Sequence, residues 1–282
     1  MKILITGAQG MLGRTLARHW DSRHQLTLTD RLEMDITRAA DCQRVIGAAK
    51  PQVVVHCAAM TAVDKAETEH DLSYQLNALG TANVAAACHR HGAKLITIST
   101  DYVFSGALDR PYHEWDETGP RTVYGATKLA GEDATRHHCP DHIIARIAWL
   151  YGAGGPSFVH TMLKLLAQEG APLRVVDDQI GNPTSTDAVA VALERLIEAQ
   201  VVGTVHLTCE GATTWYGFTQ AIAAAKGLGR GVVPCATSEY PRPAPRPANS
   251  RLEKRVLRLA GLAPMPTWDQ ALNDFLTQHP NG

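Results

Sequence analysis

Short apolar runs alternate along this chain with longer stretches whose apolar positions recur at helical spacing. Lys2-Ile3-Leu4-Ile5-Thr6 reads as a strand buried on both faces of a parallel sheet. Met11, Leu12, Leu16, Ala17 and Trp20 then share one face of a helix, and Leu26 to Asp30 reads as a second strand. Further buried strands are expected at Val53 to Cys57, Lys94 to Ser99, Ile143 to Ala148 and Val205 to Thr208, separated by helical patterns around 38–49, 72–90, 123–137 and 187–199. That alternation predicts right-handed crossovers and an α/β fold, a doubly wound parallel sheet. Ligands of such sheets bind beyond the carboxyl ends of the strands. Gly7 to Gly13, Ala58-Ala59-Met60-Thr61, Thr100-Asp101-Tyr102 and Trp149-Leu150-Tyr151 each follow a strand, so all four segments should converge on one cleft.

After Tyr151 the pattern changes. Gly152-Ala153-Gly154-Gly155-Pro156 reads as a flexible joint, Ser157 to Gln168 as a helix, and Pro241 to Pro247 as an extended, stiff loop carrying Arg242 and Arg246. The expected division is a Rossmann-like cofactor domain over residues 1–151, to which about 183–208 return, and a smaller substrate domain over most of 152–282. From composition alone, the proline-rich loop reads equally as a linker or a peptide ligand. As a functional element it would present Arg246, Asn249, Ser250 and Arg251 to the diphosphate of a bulky substrate, with Asn249-Ser250 opening a helix; guanidinium forks suit phosphate oxygens.

Composition narrows the class. With 282 residues the chain can bury a sizeable core, and its formal net charge of −1 gives no electrostatic footprint for nucleic acid or an anionic membrane. No apolar stretch approaches the ~20 residues that span a bilayer. Met1 is followed at once by the first strand, which leaves no room for a signal peptide. The six cysteines are scattered without a Cys-x-x-Cys pair and read as reduced thiols of a cytoplasmic protein.

The candidate chemistry sits on that frame. Gly7, Gly10 and Gly13, with Met11 and Leu12 opening the helix, make a turn whose backbone can approach a pyrophosphate at a helix amino terminus. Asp30 stands about 20 residues further on, where a ribose 2′-hydroxyl would be held. Arg31 beside it suits a 2′-phosphate, which leaves NADH and NADPH both open. Tyr124 and Lys128 are four residues apart on a predicted helix and share a face. A free tyrosine has a pKa of roughly 10, so a neighbouring ammonium would ready it for proton exchange near neutral pH. Thr100 adds a hydroxyl donor, which makes a carbonyl the natural reacting group.

On these residues the sequence resembles the extended short-chain dehydrogenase/reductases and, within them, the dTDP-4-dehydrorhamnose reductase family. The likeness runs through Gly7 to Gly13, Ala58 to Asp64, Thr100-Asp101-Tyr102-Val103-Phe104 and Val123 to Glu132. It continues through Asp178 to Thr184, Thr213 to Tyr216 and Arg246-Pro247-Ala248-Asn249-Ser250-Arg251-Leu252. The resemblance implies reduction of the 4-keto group of dTDP-4-dehydro-L-rhamnose by NADPH or NADH. Tyr124 would donate the proton, Lys128 would hold the cofactor ribose and poise the tyrosine, and Thr100 would orient the keto oxygen. It further implies cofactor contacts at Asp35, Ile36, Ala58, Ala59 and Met60, substrate contacts at Thr100, Asp101, Tyr102, Trp149, Arg246, Asn249 and Ser250, and a monomer or homodimer.

Related 4,6-dehydratases carry an Asp-Glu pair after the threonine, where this chain has Asp101-Tyr102. Epimerases share the Tyr and Lys but usually differ in the substrate loop. The regulatory subunit of methionine adenosyltransferase resembles the family and binds a dinucleotide without needing turnover; intact Thr100, Tyr124 and Lys128 favour an enzyme. Cys88-His89-Arg90-His91 and His137-His138 read as cationic helix ends rather than metal sites, and no metal site is expected.

Overall fold

The structure is a computed structural model, and it describes residues 1–279. Six parallel strands form one sheet in the order Gly203–His206, His142–Ile147, Lys94–Thr100, Val53–His56, Lys2–Thr6, Gln25–Thr29. The first strand lies second from one edge: Ile3 pairs with Leu26 of the edge strand on one side and with Val53 on the other. The strand order therefore reverses beside Thr6, which puts the binding crevice of a doubly wound sheet at the end of that strand.

Alternate side chains of each strand supply opposite faces. Ile3 and Ile5 pack with Leu12, Leu16 and Trp20 of the Met11–Trp20 helix and with Val189 and Leu193 of the Thr186–Glu198 helix. Leu4 faces the other way, toward Ile46 of Ala39–Ala49 and Val84 and Cys88 of Gly80–His91. A third core lies among the later elements. Helices Phe158–Leu166, Trp215–Lys226 and Trp268–Gln278 enclose Tyr151, Met162, Phe218 and Phe275, beside a parallel strand pair Leu173–Val176 and Val232–Cys235.

Three local expectations are corrected. The strand expected to end at Ser99 runs to Thr100, so Thr100 is held by pairing with Ile147. The helical pattern around 72–90 is broken into His70–Tyr74, a π-helical turn Gln75–Leu79 and Gly80–His91. The neighbouring Val123–His138 helix comes so close to that turn that a Cβ on Gly131 would stand 2.4 Å from Asn77 O. Asn249-Ser250 does not open a helix. Asn249 forms a bridge with Ile180, Ser250 N donates to Ile180 O at 2.8 Å, and the next helix begins at Arg255. Among the described residues no helix is long and apolar enough to cross a membrane, and all six cysteines are free.

Candidate active site

The glycine turn is folded to the limit of backbone contact. Gly7 has φ +62, and a Cβ on it would stand 2.7 Å from Ala58 N; a Cβ on Gly13 would stand 2.4 Å from Gly7 O. Only glycine leaves this cradle open. The Met11–Trp20 helix that follows has no side-chain cap and no acid in its first turn, so its amino terminus suits a phosphate group. His56, at the end of its strand, supports the turn from beneath: its Nδ1 lies 2.7 Å from Thr6 Oγ1, which accepts from Ala58 N at 3.2 Å. Burial, helped by the charge of Lys128, depresses His56 to about 3 and keeps the ring neutral. Asp30 Oδ2 accepts from Gln9 N at 2.7 Å, which fixes the acid to the outer side of the same turn.

From this turn a cleft of about 1020 Å³ runs to the carboxyl-terminal elements. Gly7, Gly10, Met11, Leu12, Gly13 and Ala59 line one end. Thr100, Asp101, Tyr102, Tyr124 and Lys128 line it as well, as do Trp149, Arg246 and Ser250, with Ser250 beside Asp101 and Arg246 near Tyr102. Six of the expected contacts lie outside it. Ala58 packs behind Gly7, and Met60 is buried with its backbone bound to Asn77. Ile36 is buried in the core against Gly80, and Asp35 Oδ1 accepts from Thr37 N at 3.0 Å and Thr37 Oγ1 at 2.7 Å. Asp30 lies beside the turn, held there by Gln9 N. Asn249 is structural: its Nδ2 donates to Leu108 O and Arg110 O, both at 2.7 Å, and its Oδ1 accepts from Arg251, so no polar group of its side chain is left to reach the cleft.

The start of the tyrosine helix is fixed by several contacts at once. Thr122 caps it by accepting from Gly125 N at 3.0 Å, and Glu67 Oε1 accepts from Val123 N at 2.8 Å. Gly125 lets the helix press on the turn after Thr100, since a Cβ there would meet Tyr102 O at 2.2 Å. Asn77 ties the Met60 loop to the same helix: its Oδ1 accepts from Met60 N at 2.8 Å and its Nδ2 donates to Thr127 Oγ1 at 3.0 Å. Asn77 carried no sequence signal beyond being a polar residue inside a helical pattern.

Tyr124 and Lys128 are both buried in the floor of the cleft. Burial raises Tyr124 to about 12; a hydrogen bond with Thr100 works against it, and the charge of Asp101 adds to it. The phenol is therefore a retained proton donor at neutral pH. Lys128 Nζ donates to Ile98 O at 2.6 Å, on the adjacent strand. Burial lowers Lys128 to about 8, opposed by Glu132 and Cys57. Glu132, one turn on, is fully buried and receives Arg146 Nε and Nη2 at 2.8 and 2.7 Å and Ser99 Oγ at 2.6 Å. Burial alone would raise its carboxyl, but Arg146 and Ser99 hold it below the usual range.

Two further features beside the cleft link distant parts of the chain. Arg246 Nη2 donates to Asp64 Oδ2 at 2.8 Å, and Asp64 Oδ1 accepts from Ala244 N at 3.2 Å, which fastens the proline-rich loop to the segment after His56. Trp149, at φ 47, stacks face to face on Trp215 with centroids 3.4 Å apart and planes 5° from parallel. Trp215 Nε1 donates to Gln179 Oε1 at 3.0 Å. Gln179 and Trp215 both line the cleft but had been given no role from the sequence, although both fall in the motifs that carry the resemblance.

A glycine cradle at the switch point of a doubly wound sheet, sharing one cleft with a Tyr-x-x-x-Lys helix and a strand-end threonine, defines an extended short-chain dehydrogenase/reductase. The chain belongs to the family described as RmlD substrate binding domain, whose family model matches residues 1–280. Among its relatives is the dTDP-4-dehydrorhamnose reductase of Streptomyces griseus, 44% identical over 279 residues, covering 96% of this chain and 91% of that protein. A crystal structure of a dTDP-4-dehydrorhamnose reductase from Clostridium acetobutylicum superposes with a TM-score of 0.97 at 41% identity, covering 99% of this chain and all of that one. The dTDP-4-dehydrorhamnose reductase of Bacillus anthracis, solved in complex with NADP, gives 0.96 at 38% identity, covering 98% of this chain and 99% of that one.

Proposed function

We propose that this chain reduces the 4-keto group of dTDP-4-dehydro-L-rhamnose to give dTDP-L-rhamnose, using NADPH or NADH. The observation that carries the reading is the convergence of Thr100, Tyr124 and Lys128 with the glycine cradle in one cleft. The nicotinamide cofactor supplies hydride when bound. Gly7, Gly10, Met11, Leu12 and Gly13 hold its pyrophosphate, Asp30 its adenosine ribose, and Lys128 its other ribose. Tyr124 donates its phenolic proton to the oxygen of the reduced carbon, and Thr100 orients that oxygen through its hydroxyl. Asp101, Tyr102, Trp149, Arg246 and Ser250 hold the nucleotide sugar. A division into a cofactor part, residues 1–151 with about 183–208, and a substrate part is supported by the separate hydrophobic core of the later helices.

Consumption of NADPH and of NADH, followed by absorbance with dTDP-4-dehydro-L-rhamnose present, tests the reading. The expected result is oxidation of cofactor in equal amount to alcohol formed. Cofactor binding without oxidation would instead support a dinucleotide-binding regulatory subunit.

A further inference from the structure

Thr100 carries one hydroxyl proton; the structure gives it to Asp101, with the Tyr124 phenol as a second hydrogen-bonding neighbour. Thr100 Oγ1 donates to Asp101 Oδ1 at 2.9 Å while accepting from Tyr102 N at 3.2 Å. The role proposed above needs that same proton on the keto oxygen. A hydroxyl has one donor and two acceptor positions, so both demands are met only if the Asp101 carboxyl becomes the donor.

Asp101 is placed for this. It lines the cleft, keeps 5% of its surface exposed, and its Oδ2 is buried without a hydrogen-bond partner. An unpartnered oxygen of an ionised carboxylate is costly there, whereas a protonated one is not. The groups around it do little to keep it charged. Tyr124 from the Val123–His138 helix and Tyr102 from the same turn are phenols held neutral, and Ser250 offers one hydroxyl. The two cations nearby are engaged elsewhere, Lys128 on Ile98 O and Arg246 on Asp64. Burial accordingly raises the carboxyl to about 6, with the nearby hydroxyls of Ser250 and Thr100 opposing the rise.

We infer that Asp101 is a positioning residue that works in its protonated form: its O–H donates to Thr100 Oγ1 and turns the Thr100 proton toward the keto oxygen. The inference rests on the reductase reading. Asp101 keeps its proton throughout, and the proton placed on the product oxygen is that of Tyr124.

The test is the pH profile of the single-turnover rate of keto-sugar reduction between pH 5 and 9. It is measured on wild type, Asp101→Asn, Thr100→Ser and Tyr124→Phe, with cofactor titration and thermal melting as checks of folding. Wild type should lose rate about tenfold per pH unit above the Asp101 pKa. Asp101→Asn, whose carboxamide donates at every pH, should lose that limb, while Thr100→Ser keeps it. A second limb near the Lys128 value of about 8 should survive in both. A wild-type rate that is flat between pH 6 and 7.5 overturns the inference without any variant. So does an Asp101→Asn profile that keeps the wild-type limb, because the carboxyl would then have only a structural part. Wild-type turnover by Tyr124→Phe would instead remove Tyr124 as the proton donor, and a wild type that binds cofactor but reduces no keto sugar at any pH would sink the reductase reading itself. Loss of turnover in Tyr124→Phe, beside a flat wild-type profile, would sink only the role of Asp101.

Discussion

Gly125→Ala separates the placement of the tyrosine helix from its stability. The new Cβ would stand 2.2 Å from Tyr102 O, whereas real Cβ contacts below 3.0 Å essentially do not occur, and the obstructing atom is backbone that cannot swing away. Helix and turn must part by about 1 Å, a shift that costs on the order of 10²-fold in rate when it falls between catalytic groups. It falls there in this protein, because the turn follows directly on Thr100 and the helix carries Tyr124. Overpacking costs about 1–3 kcal/mol, partly offset by the roughly 1 kcal/mol by which alanine favours a helix over glycine. The expected variant is thus folded and only slightly weakened, yet slow. Steady-state NAD(P)H oxidation and urea denaturation on the same preparation measure both. A variant with wild-type kcat would refute the close approach as the reason for glycine, and one unfolded at room temperature would refute the energy balance.

Other expectations follow from single contacts. Arg246→Ala should raise KM for the nucleotide sugar and leave cofactor affinity alone, with lysine rescuing in part because it lacks the planar fork; equal loss of both affinities in paired titrations would contradict the assignment. Asp30→Ala should weaken NADH by roughly 1.5–3 kcal/mol and NADPH much less, measured as two dissociation constants. His56 and His206 are both held near 3 by burial, so the folded protein stays unprotonated at these rings while the unfolded chain takes up protons below pH ~6.5. Their contribution to stability is complete above that pH and declines as pH falls toward 3, by about 1.4 kcal/mol per unit for each. Denaturant titrations at pH 7, 6 and 5 read this directly, and a stability that stays level down to pH 5 would show that the rings are not buried neutral.

Much of the frame was legible because it follows from local rules. The two-residue period of Ile3, Leu4 and Ile5, the glycine spacing after Thr6 and the helical period after Met11 each depend only on neighbours in sequence. The same holds for Tyr124 and Lys128, whose shared face is set by helix geometry. What escaped depends on meetings across the chain. The Arg246–Asp64 pair joins residues 182 apart, and nothing local announces it. The engagement of Lys128 with Ile98 O depends on a strand carbonyl thirty residues away that the helix packs beside. Asn249 looked like a polar ligand for substrate because its type suits one, but its amide is used to close the loop at 108–110. The π-helical turn at Asn77 answers to a neighbouring helix, which no periodicity within 72–90 could register.

The face-to-face contact of Trp149 and Trp215 gives the molecule an optical gauge of its own state. One ring is carried just past the last strand of the first half and the other opens a helix of the second, so any relative motion of the two must slide or part the rings. Two indoles at 3.4 Å and nearly parallel are coupled electronically. A change in the width of the cleft that parts them would therefore be read in the ultraviolet circular dichroism spectrum, without any label attached to the protein.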